Sequence, residues 1–299
     1  MKEVKKMKFN NVEAEHLGGG VVLFKNCIDL DWDWVQNKVE AFINDEWNEM
    51  YKPGIDPETG QEIYVNKSGY FFGLDSINLM PKRASATHQR KDPEVMEFLK
   101  FMEDSKDKYL LKYLELFPLA FKCIWWKVKG HFLKYVKGVY LGTHSDVSAD
   151  YIYGVWEPNE QLALRSMVTN LLYLNDHVDA EEELNGKNFT GGEHYFNYLD
   201  ITYKPKKGDL LMFPSNYMGA HEVKMVSGGV RYSYLGWYSQ GTPNPVVNES
   251  VTDPIKDPIN AVHDTNIYMP TLANDFRDYL KQNGYDESSD KYRITQSNY

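Results

Sequence analysis

A set of potential metal ligands, spread over two distant segments, constrains this chain more than any other feature. His144 and Asp146 are separated by a single residue, and His221 lies in a much later segment. In an extended strand, side chains two residues apart point to the same face, so this imidazole and this carboxylate can bind one ion together. Two side chains do not hold a catalytic metal alone. The fold therefore has to bring His221 close to the other two ligands.

The chemistry of these residue types indicates which metal they would hold. Two histidines and one carboxylate are the ligand set of non-haem Fe(II) oxygenases, in which further coordination positions stay open. Arg231 follows His221 in the next apolar stretch. A guanidinium presents a fixed fork of donors that matches a carboxylate. We therefore predict that Arg231 holds the far end of a dicarboxylic acid whose near end chelates the metal.

The segment from Tyr135 to Ser233 resembles the catalytic core of the prolyl 4-hydroxylase-like iron(II)/2-oxoglutarate dioxygenases. Each motif is weak when taken alone, but their order and spacing together are specific. Beyond the metal ligands and the basic residue, the similarity lies at Arg165, Thr169–Asn175 (TNLLYLN), Phe189–Phe196 (FTGGEHYF), Pro205–Phe213 (PKKGDLLMF), and His221–Val223 followed by Gly228-Gly229.

The resemblance implies both a fold and an activity. The fold is mainly β with flanking helices, around a double-stranded β-helix or jelly-roll core. The activity is hydroxylation of an unactivated C–H bond with Fe(2+), 2-oxoglutarate and O2, which yields succinate and CO2, and ascorbate is a further candidate cofactor. The implied metal ligands are His144, Asp146 and His221, and Arg231 completes the catalytic set. The implied contacts of 2-oxoglutarate are Arg231, Tyr135, Tyr173 and Ser233.

Three functions remain open. A prolyl residue in a peptide or protein is the favoured substrate, on the resemblance and because several aromatic residues could form a groove for an extended proline-rich chain. These residues are Tyr151, Tyr153, Trp156, Trp237 and Tyr238. A hydroxylase of a free amino acid or another small molecule is the alternative enzyme. A jelly-roll binding protein that has lost catalysis is the third reading, and the complete ligand set speaks against it.

His194 departs from the family pattern, which commonly has a small hydroxyl residue after Gly-Gly-Glu. Its imidazole could contact the co-substrate or the substrate, or fill the barrel, and the residues alone do not decide. The remaining histidines have no partner at ligand spacing and are expected to be structural or exposed. They are His16, His88, His131, His177 and His263.

Composition excludes several classes of partner. The chain has 299 residues and a net charge of −10, which disfavours binding to nucleic acid because phosphate contacts need clustered Lys and Arg. No apolar run approaches the ~20 residues of a membrane helix, and no signal peptide is recognised at the start. Cys27 and Cys123 are too few for a disulfide framework. We expect a cytoplasmic protein that binds neither nucleic acid nor membrane.

The periodicity of apolar residues predicts one globular domain in three parts. Residues 1–120 form an N-terminal extension, 121–240 the catalytic core, and 241–299 a tether and a helix. Helices are predicted at three places: after the N-cap Asp31, over residues 93–116 as one broken helix or two, and over residues 271–283. Residues 284–299 are expected to fray. Strands are predicted at 21–24, 121–128, 132–140, 167–174, 195–203, 210–213 and 232–238.

Two segments do not fit the core pattern. Residues 50–93 are rich in turn residues and aromatics, and form either a hairpin or flap over the site or a surface excursion whose aromatics cover the core. Residues 147–163 follow two metal ligands directly, and a substrate-facing lid is favoured there over a solvated insertion. We expect both segments to be mobile without substrate and to close over it.

Overall fold

The computed structural model describes residues 8–66, 71–73, 80–85, 93–146, 165–240 and 266–296. The helices are α1 (Trp32–Met50), α2 (Pro93–Ser105), α3 (Asp107–Leu116), α4 (Leu272–Gln282) and α5 (Asp290–Gln296). The strands are β1 (Lys8–Phe9), β2 (Ala14–Gly18), β3 (Val21–Phe24), β4 (Ile28–Asp29), β5 (Tyr51–Ile55), β6 (Glu62–Asn66), β7 (Phe71–Gly73), β8 (Lys82–Ser85), β9 (Trp126–Val136), β10 (Leu141–His144), β11 (Arg165–Tyr173), β12 (Phe189–Gly191), β13 (His194–Phe196), β14 (Ile201–Tyr203), β15 (Leu210–Pro214), β16 (His221–Val223), β17 (Val226–Gln240) and β18 (Asn266–Tyr268).

Two antiparallel sheets face each other and enclose the core of the barrel. The major sheet has the order β18-β9-β17-β11-β15-β3-β2, with β8 paired to β9 and β12 to β17, and the minor sheet has the order β10-β16-β13-β14. Leu171 and Tyr173 from the major sheet pack in one cluster with Phe196 and Tyr203 from the minor sheet. This is a jelly-roll core with flanking helices, and the predicted fold class is confirmed.

Helices cover the outer face of the major sheet. Helix α1 begins where the sequence predicts, because the Asp31 carboxylate accepts the Trp34 backbone N–H at 3.2 Å. Residues 93–116 form two helices, as one of the two predictions had it. The predicted apolar face of α3 is buried, at Tyr109, Leu110, Tyr113 and Leu114. These side chains share a cluster with Phe132 of β9, so outward-facing residues of the sheet complete the helical core.

A buried polar network fastens α2 and α3 to this sheet. The Glu103 carboxylate accepts hydrogen bonds from the Tyr234 hydroxyl at 2.5 Å, from the Gly130 backbone N–H at 3.1 Å and from the Lys106 ammonium at 3.2 Å. Burial opposes the charge on Glu103, but Lys106 and these hydrogen bonds hold the pKa of Glu103 below its ordinary value. The network therefore carries a charged carboxylate inside the protein.

The N-terminal strands extend the major sheet. All four residues of β3 are buried, and β3 pairs with β15, with Leu23 opposite Leu211. Strands β5, β6 and β7 form an antiparallel sheet of their own, so a hairpin is present within residues 50–93 as one prediction had it. The predicted lid at 147–163 and residues 241–265 of the predicted C-terminal tether lie outside the described residues.

Two predicted strands differ in the structure. Phe121 and its neighbours form a 3-10 helix, Pro118–Cys123, and β9 starts only at Trp126. Proline fixes a helical φ at the start of this turn, and Phe121 then packs on Phe276 with ring centroids 5.9 Å apart. Residues 195–203 form two paired strands, β13 and β14, because Asp200 adopts a positive φ of 52° in the turn between them.

The prediction that residues 284–299 fray is wrong for Asp290–Gln296. This segment forms α5, in which Tyr292 and Thr295 are buried. The Arg277 guanidinium of α4 donates to the Thr295 carbonyl at 3.2 Å. The segment is polar in composition, so its sequence did not indicate that burial of Tyr292 would hold it in place.

No helix within the described residues has the length and apolar character needed to cross a membrane.

Candidate active site

The minor sheet brings the three predicted metal ligands together. Strand β10 ends at His144, which lies directly opposite His221 on β16. Asp146 lies in the turn beyond β10 and not within a strand, so the strand alternation predicted for the pair is wrong at this residue. Its Oδ1 atom is nevertheless 3.4 Å from Nε2 of His144, and potential ligand atoms of all three residues lie within 4.8 Å of one another. The turn after β10, and not strand alternation, brings the Asp146 carboxylate close to the two histidines.

Each imidazole is held in one orientation by a backbone carbonyl. Nδ1 of His144 lies 2.8 Å from the Gly142 oxygen, and Nδ1 of His221 lies 2.9 Å from the Gly219 oxygen. A carbonyl oxygen can only accept, so Nδ1 of each ring carries a proton, and the neutral form of each ring has its lone pair on Nε2. That is the tautomer in which the free nitrogen can bind a metal.

A hydroxyl orients the carboxylate of the cluster. Thr169 on β11 donates to Oδ2 of Asp146 at 2.6 Å, and its own oxygen lies 2.9 Å from the Ser215 hydroxyl. Burial opposes ionisation, but the hydrogen bond with His144 and the charge of His221 outweigh burial and lower the pKa of Asp146 to about 2. No sequence pattern points to this role of Thr169, because a threonine in a strand is ordinary.

The two histidines differ in their electrostatics. Burial opposes protonation of His144, but its hydrogen bonds with Asp146 and the Gly142 carbonyl outweigh burial, and its pKa is raised. Burial lowers the pKa of His221, and the charge of Asp146 only partly offsets this effect. The carboxylate therefore favours positive charge at the centre of the cluster, which suits a cation.

Buried polar groups without partners occupy the deep end of the same barrel. Arg231 on β17 is 0% exposed and lies directly opposite Tyr135 on β9, and its guanidinium carbon is 4.8 Å from the Tyr135 ring and 5.4 Å from the Tyr173 ring. Within the described part of the chain, no guanidinium nitrogen of Arg231 has a hydrogen-bond partner, nor do the hydroxyls of Tyr135, Tyr173 and Ser233. A buried charge without a partner costs several kcal/mol. An anionic occupant such as a carboxylate fits these donors.

The backbone around Arg231 is fixed by motif residues. Asn175 donates to the Val230 carbonyl at 2.7 Å and accepts the Tyr232 backbone N–H at 2.9 Å, so it holds the strand on both sides of Arg231. Gly192 has a φ of +66°, and a Cβ there would lie 3.1 Å from Cδ of Arg231. A side chain at this position would press on Arg231 and Val226, and the positive φ would strain any residue other than glycine.

One cavity is lined both by the metal-ligand cluster and by the donors around Arg231. The three metal-ligand side chains line one end of the cavity, and Arg231 and Tyr135 line the other end. The wall between the two ends is largely apolar. Two histidines and one carboxylate are ligands that fit Fe(2+). The unpartnered hydrogen-bond donors around Arg231 fit the far carboxylate of a dicarboxylic acid that spans the cavity. The other lining residues are Leu133, Leu141, Leu171, His194, Phe213, Val223 and Leu235.

The structure separates the two predicted groove residues on β17. Trp237 lies opposite Thr169 and contacts His131, with ring centroids 5.2 Å apart. Tyr238 faces the helices and donates to Asp107 at 3.0 Å, so its predicted role in a groove is wrong. Adjacent strand residues point to opposite faces, which the sequence analysis overlooked here. The other predicted groove residues, Tyr151, Tyr153 and Trp156, lie outside the described residues.

The site side of β9 also carries a histidine that the sequence analysis gave no role. Burial lowers the pKa of His131 to about 3, and the charge of Arg83 on β8 lowers it further, whereas Asp146 opposes the shift. His131 is therefore neutral beside Trp237. No spacing in the sequence links Arg83 and His131, because only the pairing of β8 with β9 brings them together.

The chain is similar to several solved structures at low sequence identity. Solved structures that resemble the chain include a prolyl hydroxylase from Trichoplax adhaerens in complex with a hypoxia inducible factor oxygen degradation domain peptide fragment, at 18% identity and a TM-score of 0.43, over 74% of this chain and 84% of that chain. A Pseudomonas putida prolyl-4-hydroxylase is similar at 18% identity and a TM-score of 0.40, over 74% and 92%. A viral collagen prolyl hydroxylase from Paramecium Bursaria Chlorella virus-1 is similar at 19% identity and a TM-score of 0.39, over 54% and 80%.

A search of curated protein sequences returned no match to this chain. The model of the 2OG-Fe(II) oxygenase superfamily matches residues 130–239. This region includes the cluster of His144, Asp146 and His221 together with Arg231. The match to the 2OG-Fe(II) oxygenase superfamily thus covers the part of the chain that forms the site, residues 130–239.

Proposed function

We propose that this protein is an iron(II)- and 2-oxoglutarate-dependent dioxygenase that hydroxylates an unactivated C–H bond. The observation that carries the proposal is the single cavity, with two histidines and a carboxylate at one end and a buried, unpartnered guanidinium at the other. A pure binding module has no need of both features. The match of residues 130–239 to the oxygenase superfamily model supports the same conclusion.

Each residue has a distinct task in this proposal. The Nε2 atoms of His144 and His221 and the Oδ1 atom of Asp146 would hold the metal, while Thr169 keeps the carboxylate in place. The chemistry that iron(II) supplies when bound is activation of O2 at its open coordination positions.

The deep end of the cavity would hold the co-substrate. Arg231 would bind the remote carboxylate of 2-oxoglutarate through its fork of donors, with the hydroxyls of Tyr135, Tyr173 and Ser233 as further donors. The apolar wall keeps water away from the reacting groups.

A prolyl residue in a peptide or protein is the proposed substrate. Its support is the resemblance of the motifs to prolyl 4-hydroxylase-like enzymes and the position of Trp237 beside the metal cluster, where an aromatic ring can pack on a proline. With Tyr238 turned towards the helices, the aromatic surface on β17 is smaller than the sequence suggested.

Arg83 favours the alternative of a small substrate. This exposed cation is close enough to act on the pKa of both His131 and His144, so a positive charge lies near the metal cluster. A free amino acid or another small carboxylate would be attracted there. We retain a small-molecule hydroxylase as the second candidate.

An anaerobic titration tests the activity without knowledge of the substrate. We expect wild-type protein with Fe(II) to develop a metal-to-ligand charge-transfer band when 2-oxoglutarate is added. The Asp146→Ala variant should lack the band. The His177→Ala variant should keep it, because His177 is a buried histidine outside the cluster, 3% exposed. A wild-type protein that folds, binds iron and shows no band would overturn the proposal.

Turnover then distinguishes the substrates. Succinate formation should rise above its substrate-free rate with proline-containing peptides if the prolyl proposal is right, and with members of a free amino-acid panel if the alternative is right. Omission of ascorbate from parallel assays tests whether it is needed. A protein that forms the charge-transfer complex but never produces succinate would be the catalytically inactive binder.

A further inference from the structure

His194 lies midway between the two ends of the cavity. On the minor sheet, His144 is opposite His221, and His221 is opposite Phe196. Two residues before Phe196 comes His194, on the same face of β13. Two residues earlier still, Gly192 approaches the side chain of Arg231. His194 therefore lies between the metal ligands, which are level with Phe196, and the guanidinium of Arg231, which is close to Gly192.

The imidazole of His194 has polar atoms that nothing in the described structure satisfies. Its side chain is 1% exposed, and neither Nδ1 nor Nε2 has a hydrogen-bond partner there. A neutral imidazole offers one N–H donor and one acceptor. A buried donor without a partner costs about 1–3 kcal/mol, so an occupant of the cavity that accepts a hydrogen bond would remove this cost.

Packing holds the ring in one orientation. It stacks on the His221 ring with centroids 4.5 Å apart and planes 18° apart, and it contacts Phe196 at 4.7 Å and Phe213 at 5.5 Å. A ring confined between aromatic neighbours loses little entropy when it forms a further hydrogen bond. Its edge lines the cavity.

We propose that His194 is a further contact of the co-substrate, donating one imidazole N–H to the carboxylate at the metal end of the bound 2-oxo acid. Arg231 and its hydroxyl neighbours hold the remote carboxylate, so His194 holds the molecule at a second point. This inference rests on the proposed function, because it assumes that a 2-oxo acid occupies the cavity. It assigns the departure from a small hydroxyl residue to co-substrate binding and not to filling of the barrel.

Two ligands that differ at one end test the assignment. 2-Oxoglutarate carries a carboxylate at each end, whereas 4-oxobutanoate keeps the remote carboxylate and the oxo group and has a hydrogen atom in place of the carboxylate at the metal end. With Mn(II) in place of iron, we expect His194→Leu to weaken 2-oxoglutarate binding by about 10- to 100-fold, as expected for the loss of one hydrogen bond to a charged group. 4-Oxobutanoate binding should change by less than about 3-fold. Arg231→Lys should weaken both ligands.

Matched variants separate the hydrogen bond from packing. Phe213→Leu alters the same aromatic cluster without removing a polar atom, so it should change the affinities for both ligands by similar factors. His194→Asn and His194→Gln each offer an amide NH2 donor, near the place of Nδ1 and Nε2 respectively, and the one that restores 2-oxoglutarate binding identifies the donating nitrogen.

The outcomes for His194 and for the general function are distinguishable. If wild-type protein binds 2-oxoglutarate and folded His194→Leu binds it equally well, the His194 assignment is wrong and the proposed function stands. Equal weakening of 2-oxoglutarate and 4-oxobutanoate would likewise make His194 a packing residue. If the wild-type protein with bound Mn(II) does not bind 2-oxoglutarate, the proposed function itself fails.

Discussion

Among single residues, Arg231 shows how a buried charge prepares a binding site. Its guanidinium is fully buried, stacks on two tyrosine rings and keeps its donors unpartnered within the described structure. Asn175 and Gly192 hold the backbone and leave room for the side chain. Such a group is costly without an anion, so the free energy of anion binding includes relief of that cost.

We predict that the geometry of Arg231, and not its charge alone, sets the affinity for 2-oxoglutarate. Arg231→Lys keeps the charge and loses the bidentate fork, so it should weaken binding by about 10-fold, and Arg231→Ala should weaken it by at least about 100-fold. Isothermal titration in the presence of Mn(II) measures both, while Mn(II) affinity itself should change little. Equal 2-oxoglutarate affinity in the three proteins would contradict the assignment.

Thr169 acts through another residue. Its hydroxyl donates to Asp146, so Thr169→Val should leave the carboxylate free to rotate and lower metal affinity by about 10- to 100-fold, as is typical when a hydrogen-bond partner of a metal ligand is lost. Thr169→Ser keeps the hydroxyl and should bind metal nearly as tightly as wild type. Mn(II) titration followed by electron paramagnetic resonance compares them. Indistinguishable affinities for the valine and serine variants would exclude this positioning role.

At the scale of elements, pairs of neighbouring strands determine the site. The pairing of β10 with β16 places the two histidines opposite each other, and the pairing of β9 with β17 does the same for Tyr135 and Arg231. Helices α2 and α3 contribute no residue to the cavity lining. They support β9 and β17 from behind, through the network around Glu103.

Breaking that network should destabilise the protein. Glu103→Leu leaves the Lys106 ammonium buried without its carboxylate, so we expect the free energy of unfolding to fall by about 3–5 kcal/mol. Urea denaturation followed by tryptophan fluorescence measures the change. Asp179→Asn is the control, since Asp179 pairs with Lys204 on the surface and should change stability by less than about 1 kcal/mol. If both variants lower the free energy of unfolding by a similar amount, the buried network contributes no more to stability than a surface ion pair does.

The network should also make stability depend on pH. The pKa of folded Glu103 lies below the ordinary value of 4.5, so its ionised form stabilises the folded state. This contribution is complete above pH 4.5 and is lost as the pH falls through the folded-state pKa. Between pH 7 and pH 4, Glu103→Gln should therefore lose less stability than wild type, as measured by urea denaturation at each pH. Parallel curves for the two proteins would contradict the shift.

At the scale of the whole molecule, the core extends across the predicted boundaries between the extension, the catalytic core and the C-terminal part. Helix α1, strand β3 and helix α4 all contribute buried residues to the cluster on the outer face of the major sheet. That cluster also contains residues of β9, β11 and β17. We propose that the three parts form one cooperative domain.

The proposal predicts how the chain unfolds. Differential scanning calorimetry of the full chain should give one transition with equal calorimetric and van't Hoff enthalpies. A fragment of residues 121–240 should fail to fold, because removal of β3 exposes the edge of β15 and removal of the helices uncovers the apolar face of the sheet. A stably folded fragment would show that the catalytic core is an independent domain.

Local patterns predicted much of the secondary structure. The cap at Asp31 and the apolar faces of the helices depend on neighbours a few residues away, so they can be read from the sequence. The errors occurred where a distant contact decided the structure. Tyr292 holds α5 through burial, and the reversal after Phe196 divides a stretch that looked like one strand. Neither contact is visible in local periodicity.

For the site, residue type and order in the sequence were enough to propose His144, Asp146, His221 and Arg231, because few side chains offer the ligands that iron and a carboxylate require. Only the tertiary structure could show that Thr169 orients Asp146 and that His194 lies midway along the cavity with no partner in the described chain. Threonine and histidine have many roles in proteins. Their role here depends on which strands pair and in which register, and that depends on contacts between residues far apart in the chain.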